Sequence, residues 1–125
     1  MKKVLIPTKL DSLATKILAA HGGYEVVQEP KTPSLDLAKG HPDAHALIVR
    51  SEKVTAEVID ALPRLRAVVR AGAGFDNIDG KYARSKGIDV MNTPGANSNA
   101  VAEEVVALVL ADLRHVVLLD QLVGA

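Results

Sequence analysis

The sequence contains no cysteine and no tryptophan, and its aromatic residues are one phenylalanine and two tyrosines. The lack of cysteine excludes a disulfide framework, a thiolate zinc site and a cysteine nucleophile, and it favours a reducing, cytoplasmic environment. With so few aromatic side chains the core must be aliphatic, and 48% of the residues are hydrophobic. The same scarcity argues against a ligand held by aromatic stacking.

The sequence also lacks an excess of charge, because 15 basic residues balance 15 acidic ones. A general nucleic-acid or membrane-surface binder needs a basic excess, so we expect neither partner. The charges are nevertheless uneven: residues 50–86 carry eight basic and five acidic side chains, whereas residues 87–125 carry one basic and five acidic. This pattern indicates either ordinary surface variation or an anion site in the middle segment.

Long apolar segments are missing as well. The longest unbroken apolar run covers residues 105–111, which is too short to cross a bilayer. Only three apolar residues follow Met1-Lys2-Lys3 before Pro7, so no secretory signal is predicted. We therefore expect a soluble protein that forms a single domain over residues 1–125.

Short β-branched runs alternate with helical patterns along the chain. Continuous apolar runs predict strands over residues 4–6, 26–27, 46–49, 67–69 and 88–91. Amphipathic spacing with capping residues predicts helices over residues 12–21, 34–39, 55–62, 79–86 and about 98–119. Five successive βα units predict an α/β fold, a doubly wound five-stranded parallel sheet of the flavodoxin-like order 2-1-3-4-5 with helices on both faces.

In such a sheet, ligands bind beyond the carboxyl ends of the strands. Arg50-Ser51 follows the third predicted strand and Arg70 follows the fourth. A guanidinium group at a strand end can hold a carboxylate or phosphate through two hydrogen bonds. Either arginine alone could be a solvated or structurally paired cation, but two of them beside a glycine-rich turn favour anion binding.

The turn Gly72-Ala73-Gly74 lies between the fourth predicted strand and the next helix. Glycines there let backbone N–H groups approach an anion closely, because no Cβ intrudes. The turn is not a dinucleotide fingerprint: Asn77 occupies the third glycine position, and the first βα turn at residues 7–10 contains no glycine.

Residues 92–98 connect the last strand to the last helix. Pro94-Gly95 predicts a turn, and Asn97 or Ser98 predicts a helix N-cap that could also face an anionic ligand. The four histidines have neither metal-ligand spacing nor an obvious carboxylate partner, so we predict surface positions for them and no metal site. The sequence thus offers an anion-binding rim without a general acid or base, which indicates part of an active site.

Several blocks of the sequence resemble the D-isomer 2-hydroxyacid dehydrogenases, and within that family the likeness is greatest to the 3-phosphoglycerate dehydrogenases. The blocks are residues 49–51, 53–55, 70–79 and 91–97, with Ala102-Glu103 behind them. The resemblance implies an NAD-dependent oxidoreductase, acting in the first step of serine biosynthesis, with a flavodoxin-like substrate domain and a Rossmann domain. This chain resembles the N-terminal part of the substrate domain.

The resemblance also implies roles for individual residues. The family's catalytic histidine, glutamate and arginine and its NAD-binding loop match nothing in this chain, so we expect no catalytic residue, no bound NAD and no hydride transfer here. A small anionic 2-hydroxy acid or phosphate is the expected partner. Arg50 and Ser51 would lie at the substrate entrance, Arg70, Ala71, Gly72, Ala73 and Gly74 would hold the substrate's carboxylate or phosphate, and Asn97 would lie at the cleft beside the cofactor. The alternative is a stand-alone flavodoxin-like scaffold or self-associating module without catalytic function.

The last predicted helix is apolar on more than one side. One stripe faces the expected sheet, but Leu108, Leu118 and Leu119 fall on the opposite side. A helix that is apolar all round is buried on more than one side. We therefore predict self-association through this helix.

Overall fold

The computed structural model describes residues 2–10, 12–74, 76–93 and 98–122, and within the last helix it describes the side chains of residues 100–113. Strands and helices alternate throughout these residues. The strands are β1 (Lys2–Ile6), β2 (Tyr24–Gln28), β3 (Ala46–Val49), β4 (Ala67–Arg70) and β5 (Asp89–Asn92). The helices are α1 (Ser12–His21), α2 (Ser34–Gly40), α3 (Ala56–Asp60), α4 (Gly80–Ser85) and α5 (Ser98–Leu122).

The strands form one parallel sheet in the order β2-β1-β3-β4-β5. This confirms the predicted doubly wound α/β architecture and its strand order. Because parallel neighbours need a crossover, each connection passes through a helix, and the carboxyl ends of all the strands meet at one edge.

Alternate residues of each strand enter two separate cores. Leu5, Leu47 and Val68 point to the face covered by α2, α3 and α4. Val4, Ile48 and Val69 point to the face covered by α1 and α5. Burial on both faces explains why the strands read as continuous apolar runs instead of alternating ones.

Side-chain caps begin two of the short helices, and the sequence predicted the one at Thr55. The Thr55 hydroxyl accepts a hydrogen bond from the Val58 N–H at 3.5 Å, and the Asp79 carboxylate accepts one from the Tyr82 N–H at 3.1 Å. Most boundaries differ from the predicted ones by one to three residues; β2, for example, covers residues 24–28 instead of 26–27. The start of β5 moves from Ile88 to Asp89, because the Ile88 N–H donates to the carbonyl oxygen of Ala83 in α4.

Helix α5 extends to Leu122 and packs along the sheet through Val105, Val109 and Leu113, which are fully buried. Leu108, expected on the opposite side, is half-buried and contacts the same core. Exposed alanines at 107 and 111 mark the outer surface, and the side chains of Leu118 and Leu119 lie outside the described set. Among the described helices, none has the length and apolar character required to cross a membrane.

Candidate anion site

The two arginines singled out by the sequence lie side by side at the carboxyl edge of the sheet. In the strand register Val49 pairs with Arg70, and Arg70 pairs with Asn92. Arg50 directly follows Val49, so its backbone lies next to the end of β4. Arg50 and Ser51 are exposed, and Arg70 is half-buried.

The Arg70 side chain folds back against the neighbouring loop. Its Nε donates a hydrogen bond to the carbonyl oxygen of Arg50 at 2.9 Å. The end of its guanidinium group lies over the glycine turn: a Cβ added at Gly72 would stand 3.4 Å from Nη1, and one at Gly74 would stand 3.8 Å away. Gly72 and Gly74 have φ angles of +149° and +86°, a region that side-chain-bearing residues rarely adopt.

The Arg50 side chain reaches across to the loop after β1. Its Nη1 donates to the carbonyl oxygen of Lys9 at 3.2 Å, and its backbone N–H donates to Oε1 of Glu52 at 2.8 Å. Both guanidinium groups are therefore held by uncharged main-chain oxygens. Within the described residues neither guanidinium group forms an ion pair, although the Glu52 carboxylate lies against the Arg50 backbone N–H.

Asn77 is a residue of this edge that the sequence reasoning considered only as a missing glycine. Its Nδ2 donates to the carbonyl oxygens of Arg50 at 3.0 Å and of Glu52 at 2.8 Å. The side chain thereby ties the loop after β3 to the loop after β4. No local pattern could have revealed this role, because the bonded residues are 27 and 25 positions apart.

Gln28, the last residue of β2, fixes the loop after β1 in a similar way. Its Nε2 donates to the Leu10 carbonyl oxygen at 3.1 Å, and its Oε1 accepts from the Thr15 hydroxyl at 3.0 Å. Since this loop includes the Lys9 carbonyl that accepts from Arg50, Gln28 indirectly supports the same edge. An amide at the polar end of an apolar strand was the available signal in the sequence.

The remaining predicted site residues are divided between the edge and the undescribed part of the chain. Ala71 is half-buried and Ala73 is exposed, and both belong to the turn that surrounds the Arg70 side chain. Asn97, together with the Pro94-Gly95 turn, lies outside the described residues. On the near side of that gap, Thr93 is buried, and its N–H donates to the Arg70 carbonyl oxygen at 3.1 Å.

Two shallow clefts flank the loop that carries Arg50, but neither contains the arginines. One of about 470 Å³ separates the start of α2 from the start of α3 and includes Ser34, Lys53 and Thr55 in its walls. The other, of about 260 Å³, lies between residues 53–55 and residues 76–79.

The described residues show no open glycine loop of the dinucleotide-binding kind and no cluster of metal ligands. The only glycine turn among them at this edge holds the Arg70 guanidinium group where a pyrophosphate would need open backbone N–H groups. No group of three or more histidine, aspartate or glutamate side chains is placed to hold a metal within the described residues.

The histidines lie away from the arginine pair. His21 is exposed, as predicted, whereas His41 and His45 are half-buried at the opposite edge of the sheet and depart from the predicted surface positions; the side chain of His115 lies outside the described set. Burial, followed by the positive charges of Lys2 and Arg64, lowers the pKa of His45. His41 lies at the same edge as His45, with its Nδ1 3.3 Å from the Lys3 ammonium nitrogen.

The chain is similar in sequence and in structure to several known proteins. The chain is 43% identical to hydroxypyruvate reductase of Thermotoga maritima over 115 residues, which are 91% of this chain and 37% of that protein. It is 43% identical to human D-3-phosphoglycerate dehydrogenase over 117 residues, which are 93% of this chain and 22% of that protein. The crystal structure of NAD⁺-bound 3-phosphoglycerate dehydrogenase of Entamoeba histolytica matches with a TM-score of 0.64 and 35% identity, covering 74% of this chain and 32% of that one.

The chain thus spans between about a fifth and two-fifths of the length of these curated relatives. The family model for the catalytic domain of D-isomer specific 2-hydroxyacid dehydrogenases matches residues 4–107, which include the arginine pair and all five strands except the first two residues of β1. The chain belongs to the D-isomer-specific 2-hydroxyacid dehydrogenase family.

Proposed function

We propose that this chain is the substrate-binding domain of an NAD-dependent D-2-hydroxyacid dehydrogenase and that its carboxyl edge binds the anionic substrate. The observation that supports the proposal is the pair Arg50 and Arg70, adjacent at the strand ends, whose guanidinium groups form no ion pair with a carboxylate in the described residues. Guanidinium groups held by main-chain oxygens keep their charge and their remaining N–H donors for a ligand.

The binding surface that we propose follows the loops around the two arginines. Ser51 adds an exposed hydroxyl beside Arg50. In the turn around Arg70, the N–H groups of Ala71 and Gly72 already donate to the carbonyl oxygens of Val49 and Arg70, so the backbone donors that we propose for the ligand are those of residues 73 and 74. Asn97 belongs to the proposal on the family resemblance alone. The proposed site residues are Arg50, Ser51, Arg70, Ala71, Gly72, Ala73, Gly74 and Asn97.

The substrate that we favour is 3-phosphoglycerate. It carries a carboxylate and a phosphate, one anion for each arginine, and a 3-phosphoglycerate dehydrogenase is among the relatives at 43% identity. The parent enzyme would then perform the first step of serine biosynthesis in the cytoplasm. Hydroxypyruvate is the second candidate, because a reductase of that name is equally similar.

We further propose that this chain alone transfers no hydride and binds no NAD. The described residues place no titratable acid–base pair beside the arginines, and the glycine turn is filled by Arg70. Incubation of the chain with NAD⁺ and 3-phosphoglycerate should give no NADH above the background rate. A clear rate would overturn this part of the proposal.

A titration tests the anion site directly. We expect 3-phosphoglycerate to bind the unmodified chain, and Arg70→Ala to weaken binding at least tenfold, since a hydrogen bond to a charged group contributes about 1.5–3 kcal/mol. Arg64→Ala is the matched control, because it removes an equal charge from an exposed position before β4. Calorimetric titration with 3-phosphoglycerate, hydroxypyruvate and phosphate would rank the ligands.

The alternative class of function is a stand-alone flavodoxin-like scaffold or self-associating module. It predicts no anion binding by the unmodified chain or by either variant. Equal binding by the unmodified chain and Arg70→Ala would also reject the proposed site.

A further inference from the structure

One main-chain oxygen at this edge accepts two hydrogen bonds. The carbonyl oxygen of Arg50 accepts from Nε of Arg70 at 2.9 Å and from Nδ2 of Asn77 at 3.0 Å. A carbonyl oxygen has two lone pairs, so these two bonds use its full acceptor capacity. The orientation of the Arg70 guanidinium group therefore depends on a carbonyl group that Asn77 also holds.

Asn77 is itself fixed by backbone bonds. Its carbonyl oxygen accepts from the Val54 N–H at 2.8 Å, and the Asp79 N–H donates to the Val54 carbonyl oxygen at 2.9 Å. Val54 and Ile78, on either side of this bridge, are buried. The amide group thus projects from a fixed stretch of backbone onto the more exposed loop at residues 50–53.

The second hydrogen bond of the Asn77 side chain shows that position 77 requires a donor with two hydrogens. Nδ2 also donates to the Glu52 carbonyl oxygen at 2.8 Å, so both amide hydrogens are used on main-chain oxygens of one loop. An aspartate of the same shape would have no hydrogen to donate and would place a negative charge against two carbonyl oxygens. It would also stand beside Arg70 as a competing anion.

We propose that Asn77 is a positioning residue for the anion site: by holding the Arg50 carbonyl group it fixes the direction of the Arg70 guanidinium group before a ligand arrives. The inference rests on the proposed function, because it assumes that this guanidinium group contacts the substrate anion. Ordering a long side chain in advance raises affinity by removing that entropy loss from the binding step.

The test uses the whole chain and three variants. Asn77→Asp keeps the shape and removes the donors, and Arg70→Lys identifies the Arg70 Nε–H signal in a proton–nitrogen NMR spectrum by its loss. Asp79→Ala is the matched control: it removes the N-cap of α4 two residues from Asn77 without touching either arginine. If Asn77→Asp does not fold, Asn77→Ser, which keeps one short donor, takes its place.

Without ligand, we expect the Arg70 Nε–H signal to be shifted and to exchange faster with water in Asn77→Asp, and to be unchanged in Asp79→Ala. In a phosphate and 3-phosphoglycerate titration, Asn77→Asp should raise Kd about tenfold, the equivalent of 1.4 kcal/mol. Asp79→Ala should bind like the unmodified chain even where it unfolds at a lower temperature.

The two proposals fail in different ways. If the unmodified chain binds the anions, Arg70→Ala loses them, and Asn77→Asp keeps both the affinity and the Nε–H signal, the positioning role is overturned while the proposed function stands. If Asp79→Ala weakens binding as much as Asn77→Asp does, general destabilisation explains the loss and the positioning role is again overturned. If the unmodified chain binds neither anion, both proposals fall.

Discussion

Two hydrogen bonds join Lys3, in β1, to His45, the residue that precedes β3. The Lys3 N–H donates to Nδ1 of the His45 ring at 3.1 Å, and the His45 N–H donates to the Lys3 carbonyl oxygen at 2.8 Å. The first bond requires a neutral imidazole whose proton is on Nε2. The lowered pKa of His45, caused first by burial and then by nearby positive charge, agrees with that requirement.

Acidification should therefore weaken the fold through His45. Because the pKa of His45 is lower in the folded chain than its ordinary value of 6.5, the unfolded chain binds the proton first, and stability falls as the pH drops below about 6.5. His45→Asn, which retains an acceptor but does not titrate, should lose this part of the pH dependence. Thermal unfolding of both chains between pH 5 and 8 measures it, and parallel curves would contradict the prediction.

Asp112 should have the opposite effect on stability over an overlapping pH range. Burial, and then a hydrogen bond to Asp89 and its negative charge, raise the pKa of Asp112 to about 7 from an ordinary 3.8. The folded chain thus holds a proton that the unfolded chain loses, so stability falls as the pH rises from about 4 to about 7.

The variant Asp112→Asn reproduces the protonated form at every pH and should be more stable than the unmodified chain above pH 7. The gain should vanish near pH 4, and each kcal/mol gained corresponds to about 4 °C in Tm for a domain of this size. Glu103→Gln, on an exposed position of the same helix, is the control and should show no pH-dependent gain. A gain that is the same at pH 4 and pH 8 would refute the explanation.

Gly72→Ala should damage both stability and the arginine geometry. The added Cβ would stand 3.4 Å from Nη1 of Arg70, on a backbone with φ of +149°. We expect a loss of about 1–3 kcal/mol in the free energy of unfolding, together with weaker anion binding. Gly40→Ala is the control, because its Cβ would meet nothing within 4 Å and its φ is not positive.

Gly40→Ala should be neutral or stabilise the chain by up to about 1 kcal/mol. Urea unfolding followed by an anion titration separates the two effects of Gly72→Ala. A Gly72→Ala chain with unchanged stability and unchanged anion affinity would show that the turn does not constrain Arg70.

Self-association through α5 remains a prediction. Ala107 and Ala111 are exposed on the outer surface of this helix, and the sequence adds Leu118 and Leu119 further along. Light scattering from low to high micromolar concentration should show an average mass above that of one chain, and replacing both leucines by glutamine should reduce it. A single-chain mass over the whole range would reject the prediction.

The sequence predicted the sheet well, because β1, β3 and β4 are buried on both faces and contain continuous apolar runs, and because the helices are amphipathic segments with recognisable ends. Arg50 and Arg70 were found for a related reason: each follows such a run, and parallel strands end at the same edge. The start of β5 was predicted one residue too early, at Ile88. The Ile88 N–H donates to the end of α4 and not to the sheet, and a pattern of apolar residues carries no information about that hydrogen bond.

The supporting contacts were beyond reach of the sequence. Asn77 and the Asp89–Asp112 pair act between segments that are distant along the chain, and their roles depend on distances that only the folded backbone sets. Polar residues of this kind look like ordinary loop and surface residues until the two segments are brought together.

The anchor of the arginine pair is a main-chain oxygen, and this has a consequence for engineering. A carbonyl group is present whatever side chain residue 50 carries, so exchanging Arg50 for another residue leaves the acceptor for Arg70 and Asn77 in place. The charge at position 50 can therefore be altered to suit a different ligand without removing the hydrogen-bond acceptor that orients Arg70. In the site that we propose, the side chain at position 50 can therefore be changed, whereas the acceptor that orients Arg70 belongs to the backbone.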